Sequence, residues 1–291
     1  MGIRTFAGLL AAAAMYVSPA AAQDSVIGQL SLQPSTPWNV DYAQNSCAIM
    51  RGFGPDDQRV LFELRQFVPG GPYRLMVASE HLGSARGDPV VTMTPGETRP
   101  LSDARRLRAN GMRGVAATLR TSSEPALPDE TGELVQVEDA INVEATRAMT
   151  FHDTFDRDVA LALGDLAPAM EAMRVCLDDL VTELGFDPTA LRNVAQAAAP
   201  LDQARWAREV SQHFPTAALR AGRDARITAS TIVNPQGRIV RCAATNALGD
   251  EDFEAVACAA MMEYARLTPA LDTAGEPTFG SYTVTIVYTV S

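Results

Sequence analysis

From residue 281 onward the chain alternates. Tyr282, Val284, Ile286, Tyr288 and Val290 are apolar or aromatic, while Thr283, Thr285 and Thr289 fall between them. A period of two predicts a strand with one face buried. Residues 227–233 are rich in β-branched side chains, and 238–245 return after Asn234-Pro235-Gln236-Gly237. Asn first, Pro second and Gly fourth suit a type I turn, so these two runs predict a hairpin. On its second strand Val240, Cys242 and Ala244 are expected on one face and Arg241 on the other. The spacing then changes to that of a helix: Phe253, Val256, Ala257, Ala260, Met261, Tyr264 and Leu267 form one stripe, with Asp250-Glu251-Asp252 at its N-terminus, where the helix dipole favours negative charge. The order is ββαβ, and a last strand reached through a crossover helix is a candidate sheet edge.

Upstream, short strand-like runs are punctuated by Gly, Pro and Asp. They cover 59–64, 73–77, 89–93, 114–119, 134–137, 148–151 and 158–163, a pattern that predicts a sandwich-like β domain. Residues 102–110 are read as a short helix carrying Arg105, Arg106 and Arg108. At 166–184, Leu166, Met170, Met173, Leu177, Leu180 and Leu184 keep helical spacing, Asp165 is placed to cap, and Gly185 and Pro188 end the run. The expected fold class is α+β: a mainly-β domain over 36–187 with a closing helix, a linker with a short helix over 188–212, and a ββαβ domain over 213–291.

Length and composition permit this division. A chain of 291 residues, 47% apolar and 20% charged, can bury one large core or two ordinary ones. All 24 basic residues are Arg, and the net charge is −11, which argues against non-specific nucleic-acid binding. The acidity is concentrated in residues 23–200, with 25 acidic against 15 basic residues. The N-terminus reads as an export signal: Arg4, an apolar run over 6–17, then Ala20-Ala21-Ala22 before Gln23. That run is short for a bilayer, which takes about 20 apolar residues. A signal peptide over 1–22, a flexible segment over 23–35 and a periplasmic location are therefore expected. Four cysteines in an exported chain favour disulfides. Three pairings are possible, and the spacing suggests Cys47–Cys176 and Cys242–Cys258, one bridge per domain.

The C-terminal stretch resembles the C-terminal domain of TonB-type energy transducers, especially disulfide-bearing versions in exported bacterial proteins. The resemblance rests on Phe214, Pro215, Ala218 and Gly222, on the turn 233–238, on Cys242 and Cys258, on Arg266 to Ala270, and on Gly275 and Pro277 before the last strand. Ala225 stands where the family has a second glycine, and Leu267 where it has an aromatic residue. No Pro-rich spacer precedes the domain, and a strand-rich region takes its place. What the resemblance implies is a protein partner: an outer-membrane receptor segment or another periplasmic protein.

Candidate chemistry is sparse. His81, His152 and His213 are isolated in sequence and read as ordinary surface or core histidines, and His152-Asp153 with Asp156 and Asp158 lacks calcium-loop spacing. Neither a nucleophile elbow nor a phosphate-binding loop occurs. The expectation is a non-enzymatic, exported binding or scaffolding protein without catalytic, metal or cofactor-binding residues. It would accept an extended partner segment along Thr283, Val284, Thr285, Ile286 and Val287. The alternative is an energy-transducer subunit for outer-membrane transport, which requires the N-terminal apolar run to stay in the membrane.

Overall fold

The computed structural model describes residues 28–109, 111–121, 124–128, 134–135, 141–245 and 251–290. The expected signal peptide, the start of the flexible segment, and Val137 and Asp250 lie outside them.

In the N-terminal part β1 (Leu30–Leu32), β2 (Asn39–Ala43) and β3 (Ser46–Phe53) lead through a single turn of 3-10 helix to β4 (Val60–Gln66). Then follow β5 (Tyr73–Ser79), β6 (Val90–Thr94), β7 (Thr98–Pro100), β8 (Ser102–Ala109), β9 (Met112–Leu119), the short pair β10 (Leu127–Pro128) and β11 (Leu134–Val135), β12 (Ala148–His152) and β13 (Val159–Ala162). Six strands form an antiparallel sheet in the order β2-β3-β4-β5-β9-β8, and five form a second in the order β1-β13-β12-β6-β7. Alternate residues of both sheets meet in one core: Ile49, Phe62, Leu64, Leu75, Val77 and Val115 from the first, Val91, Met149, Phe151 and Leu161 from the second. Removing such side chains from water stabilises by about 1.5–3 kcal/mol each before entropy is counted.

Helix α1 (Ala167–Glu183) closes this sandwich with Ala169, Met170, Met173, Cys176 and Leu177, all buried. The Asp165 carboxylate accepts the Ala167 amide at 3.2 Å, and at the other end Gly185 takes a left-handed backbone (φ 84°). The Phe186 and Gly185 amides return to the Val181 and Thr182 carbonyls, satisfying end groups that would otherwise be unpaired. The fully buried bridge Cys47–Cys176 joins α1 to β3, with Cα atoms 6.1 Å apart.

The rest of the chain holds α2 (Pro188–Arg192), β14 (Val194–Gln196), β15 (Ala199–Pro200), α3 (Gln203–Gln212), α4 (Thr216–Arg220), β16 (Ala225–Val233), β17 (Ile239–Thr245), α5 (Glu251–Tyr264), β18 (Leu267–Thr268), β19 (Ala270–Asp272), β20 (Pro277–Thr278) and β21 (Gly280–Tyr288). Its main sheet runs β17-β16-β21, all antiparallel. The stretch expected as a linker is tied into this domain: β14 pairs with β19, β15 with β18, and Trp206 and Val210 of α3 enter the core. A mainly-β sandwich with a closing helix, followed by a helix-backed sheet, is the α+β organisation read from the sequence.

Several local expectations fail. The segment expected to be flexible, 23–35, contains strand β1 at Leu30–Leu32, which pairs with β13, and Leu32 is buried in the core. Leu267, expected on the α5 stripe, lies beyond that helix in β18. Residues 102–109 are strand β8, not a helix. Ala104 and Leu107 have helical spacing, but the segment pairs with β9 from Ser102 to Ala109, and sheet pairing with a distant strand overrides a weak local pattern. In β17 a bulge at the Ile232/Val233 step shifts the register, so Val240 leaves the face shared by Cys242 and Ala244. It joins Val68, Val181, Leu191 and Ile232 in a separate cluster between the two domains.

That cluster, capped by the edge-on pair Phe186–Phe279 at 5.8 Å, holds the domains together. Polar contacts extend it: Arg241 donates to the Asn45 side chain, and Arg74 Nη1 donates to Thr228 Oγ1 at 3.2 Å.

The two bridges close loops of very different length, with sequence separations of 129 and 16. The chain-entropy argument assigns about 5 kcal/mol to the first and about 3 kcal/mol to the second. Urea denaturation of Cys47→Ala/Cys176→Ala is expected to show the larger loss; a larger loss from Cys242→Ala/Cys258→Ala would contradict the loop-length account.

Candidate functional site

The C-terminal sheet is built outward from its turn. The Asn234 side chain accepts the Gln236 and Arg238 amides at 3.1 and 2.9 Å, and the Gly237 amide returns to the Asn234 carbonyl at 2.9 Å. Gly237 has φ 72°, and a Cβ there would run into the Leu267 carbonyl oxygen, so only glycine lets the turn press against the chain leaving α5. Helix α5 covers one face of the sheet with Phe253, Ala257, Ala260 and Met261. The bridge Cys242–Cys258 ties helix to sheet, Cα atoms 5.5 Å apart. Rings of Phe214, Phe253 and Tyr288 meet at 5.3–5.5 Å and close the end of this core.

Against this frame β21 pairs along its whole length with β16, from Gly280↔Val233 to Tyr288↔Ala225. Among the described residues it has β16 on one side and no strand on the other, so it is the sheet edge. Among the described residues its backbone makes no backbone hydrogen bond other than to β16. The five residues singled out in the sequence divide by face. Val284 and Ile286 pack toward the α5 core. Thr283 Oγ1 donates to Ser230 Oγ at 3.2 Å, Thr285 Oγ1 donates to Asp103 Oδ2 at 3.4 Å, and Val287 is 47% exposed.

Asp103 was not legible as a site residue. It belongs to β8, the edge strand of the six-stranded sheet, at a bulge between Ser102 and Arg105, where its own backbone is left-handed (φ 51°). Aspartate tolerates that conformation better than most residues, and a bulge re-aims a side chain. Its carboxylate lies 3.9 Å from the Arg226 guanidinium as well as beside Thr285. Arg74 sits nearby; burial lowers its pKa, and the Asp103 charge opposes that shift. No sequence signal links these residues, because Asp103 and Thr285 are 182 positions apart.

Elsewhere, His152 is held between two side chains, with Nδ1 2.7 Å from Asp158 Oδ2 and Nε2 2.8 Å from Thr92 Oγ1. A cavity of about 450 Å³ lies between α1 and the β4–β5 turn, with Tyr73, Met170 and Met173 in its wall and Arg174 and Arg192 at the rim. Both arginines are paired with Asp178. No cluster of three or more His, Cys, Asp or Glu suited to a metal occurs among the described residues. No helix among them is long and apolar enough to cross a membrane.

Residues 210–290 match the family model described as Gram-negative bacterial TonB protein C-terminal. The match covers the domain that carries β21 and stops short of the β sandwich. No curated protein matches the chain. A TonB-type domain is a protein-interaction module, and two disulfides fit an exported chain.

Burial raises the phenols of Tyr73, Tyr282 and Tyr288 from 10.0 to about 12; Glu144 and Glu124 add to the effect at Tyr73, and Arg120 opposes it at Tyr282. The unfolded chain ionises these phenols above pH 10, so the stability they confer is complete below that pH and is lost as the pH climbs through about 12. A spectrophotometric titration should therefore find a class of tyrosines ionising near pH 12, and its absence would refute their burial. The Tyr288 hydroxyl is buried with no hydrogen-bond partner among the described residues. Tyr288→Phe is expected to leave thermal stability unchanged or raise it by up to about 1 kcal/mol; a loss of that size would reveal a partner for the hydroxyl.

Proposed function

We propose that this is an exported, periplasmic binding or scaffolding protein without catalysis of its own, whose C-terminal domain takes an extended segment of a partner protein onto β21. One observation carries the reading: β21 is nine residues long, fully paired with β16 on one side and, among the described residues, unpaired on the other. An open strand edge presents a row of amides and carbonyls that a second extended chain can satisfy, giving affinity through the backbone and register through alternate side chains. The TonB-type match supports a protein partner, such as an exposed segment of an outer-membrane receptor or another periplasmic protein. The structural disulfides support the oxidising compartment that reading requires.

The same match favours a second reading, a transducer subunit coupling energy to outer-membrane transport. The two differ in the fate of the apolar run at residues 6–17: fractionation that recovers a chain starting at Gln23 in the soluble periplasm excludes the transducer, and membrane retention excludes the soluble scaffold.

NMR titration of the labelled chain with ten-residue β-forming receptor-loop peptides is expected to move the amides of 281–288, and unchanged resonances there would sink strand addition. Val287→Lys places a charge on an exposed edge position. It should change stability by no more than about 0.5 kcal/mol while weakening peptide binding.

A further inference from the structure

Two sheet edges, one from each domain, meet at a single point. β8 ends the six-stranded sheet, β21 ends the C-terminal sheet, and the Thr285–Asp103 hydrogen bond joins them. We propose that the N-terminal domain forms the second wall of the strand-docking site, and that this wall selects an extended partner segment with an acidic side chain at the position beside Thr285. The inference rests on the strand-addition reading above and deepens it.

Alternation carries the geometry. A strand laid along β21 has side chains pointing alternately to the two faces of the sheet, as β21 does. Val284 and Ile286 point into the α5 core, so the partner residues beside them lie on the α5 side. Thr283 and Thr285 point the other way, and Thr285 reaches Asp103 of the N-terminal domain. A partner residue beside Thr285 therefore faces β8 and the groups around Asp103.

Those groups are predominantly cationic. Arg226 has a side chain 42% exposed and only the long 3.9 Å approach to Asp103. Arg74 is close enough to feel the Asp103 charge and is bonded to Thr228, the β16 partner of Thr285. Arg105 follows on β8, paired with Ala116; Ala116 pairs with Met76, which places Arg105 on the same sheet face as Arg74. Its guanidinium bonds the Ala104 carbonyl at 3.1 Å and has no carboxylate within ion-pair distance among the described residues. Arg226 and Arg74 thus stand near one carboxylate, with Arg105 on the sheet face that carries Arg74, in a chain whose net charge is −11. Arg120, which acts on Tyr282 at the start of β21, is already matched by Glu124 at 3.1 Å and adds no net charge. The remaining positive field is local, and a carboxylate brought beside Thr285 would meet Arg226 and Arg105.

The left-handed backbone of Asp103 fits this role. The bulge turns its carboxylate toward β16 and β21, where it keeps Arg226 beside the edge. Asp103 is then a positioning residue, and the arginines are the groups that touch the partner.

The test uses the full mature chain and three fluorescent ten-residue peptides of alternating Val and Thr that differ only in one central residue: Glu, Ser or Lys. Fluorescence polarisation at low salt is expected to rank them Glu, Ser, Lys, with the Glu peptide about three- to fivefold tighter than the Lys peptide. The ranking should collapse in Arg226→Gln and Arg105→Gln, whose fold is checked by thermal melting, and should flatten in high salt. Equal affinity for all three peptides, with amide shifts along 281–288 intact, overturns the acidic-partner inference and leaves strand addition standing. Absence of those shifts with every peptide overturns strand addition itself. A ranking that survives in both arginine variants assigns the selection to another wall and also overturns the inference.

Discussion

The C-terminal half depends on one strand having no free surface. β16 is bonded to a neighbour on each side, and its residues from Ile227 to Val233 are nearly all buried. Ile227, Ala229 and Val233 pack under α5; Ile232 packs against Val68, Val181 and Leu191 of the other domain and its connecting segment, and Thr228 takes a hydrogen bond from Arg74. A strand enclosed on both edges and both faces fixes everything attached to it. The hairpin partner β17 is set by the turn at Asn234, the helix is stapled by Cys242–Cys258, and β21 is left as the outer strand with one free edge.

That enclosure also explains the seating of the domains. The face of the C-terminal sheet that looks toward the sandwich carries Thr228, Ser230, Thr283 and Thr285, a polar surface that gains little from burial alone. The hydrophobic contribution comes from the small cluster around Ile232 and Val240, while Arg74, Asp103, Arg226, Arg241 and Asn45 satisfy the polar groups around it. An interface of this composition holds two folded units in register without merging their cores. It brings β8 to the flank of β21, so the sandwich has a bearing on what the edge can accept.

Much of this was legible in one dimension. The alternation in 281–290, the hairpin turn, the α5 stripe and the 166–184 helix are local periodicities, and the structure contains each of them, with the strand ending at Tyr288 and the helix α5 at Tyr264, before Leu267. Both cysteine pairings suggested by spacing are present. What local pattern misjudged are positions where a distant partner decides: 102–109 reads helical until β9 pairs with it, and Val240 changes face through a bulge that no alternation rule anticipates. The 188–212 stretch is Ala- and Pro-rich and reads as a connection, but it supplies strand partners for β18 and β19 and a tryptophan for the core.

The sequence by itself determined the hairpin, the helix and the last strand of the C-terminal domain, and most of the residues that point from them into its core, because burial imposes periods of 2 and 3.6 on the chain directly. It could not determine which strand edge stays free, or what stands beside it. Those depend on sheet order and domain seating, which are set by contacts between residues up to 182 positions apart. Asp103, Arg105 and Arg226 become a group only when β8 and β16 are laid against each other, and tertiary structure alone does that.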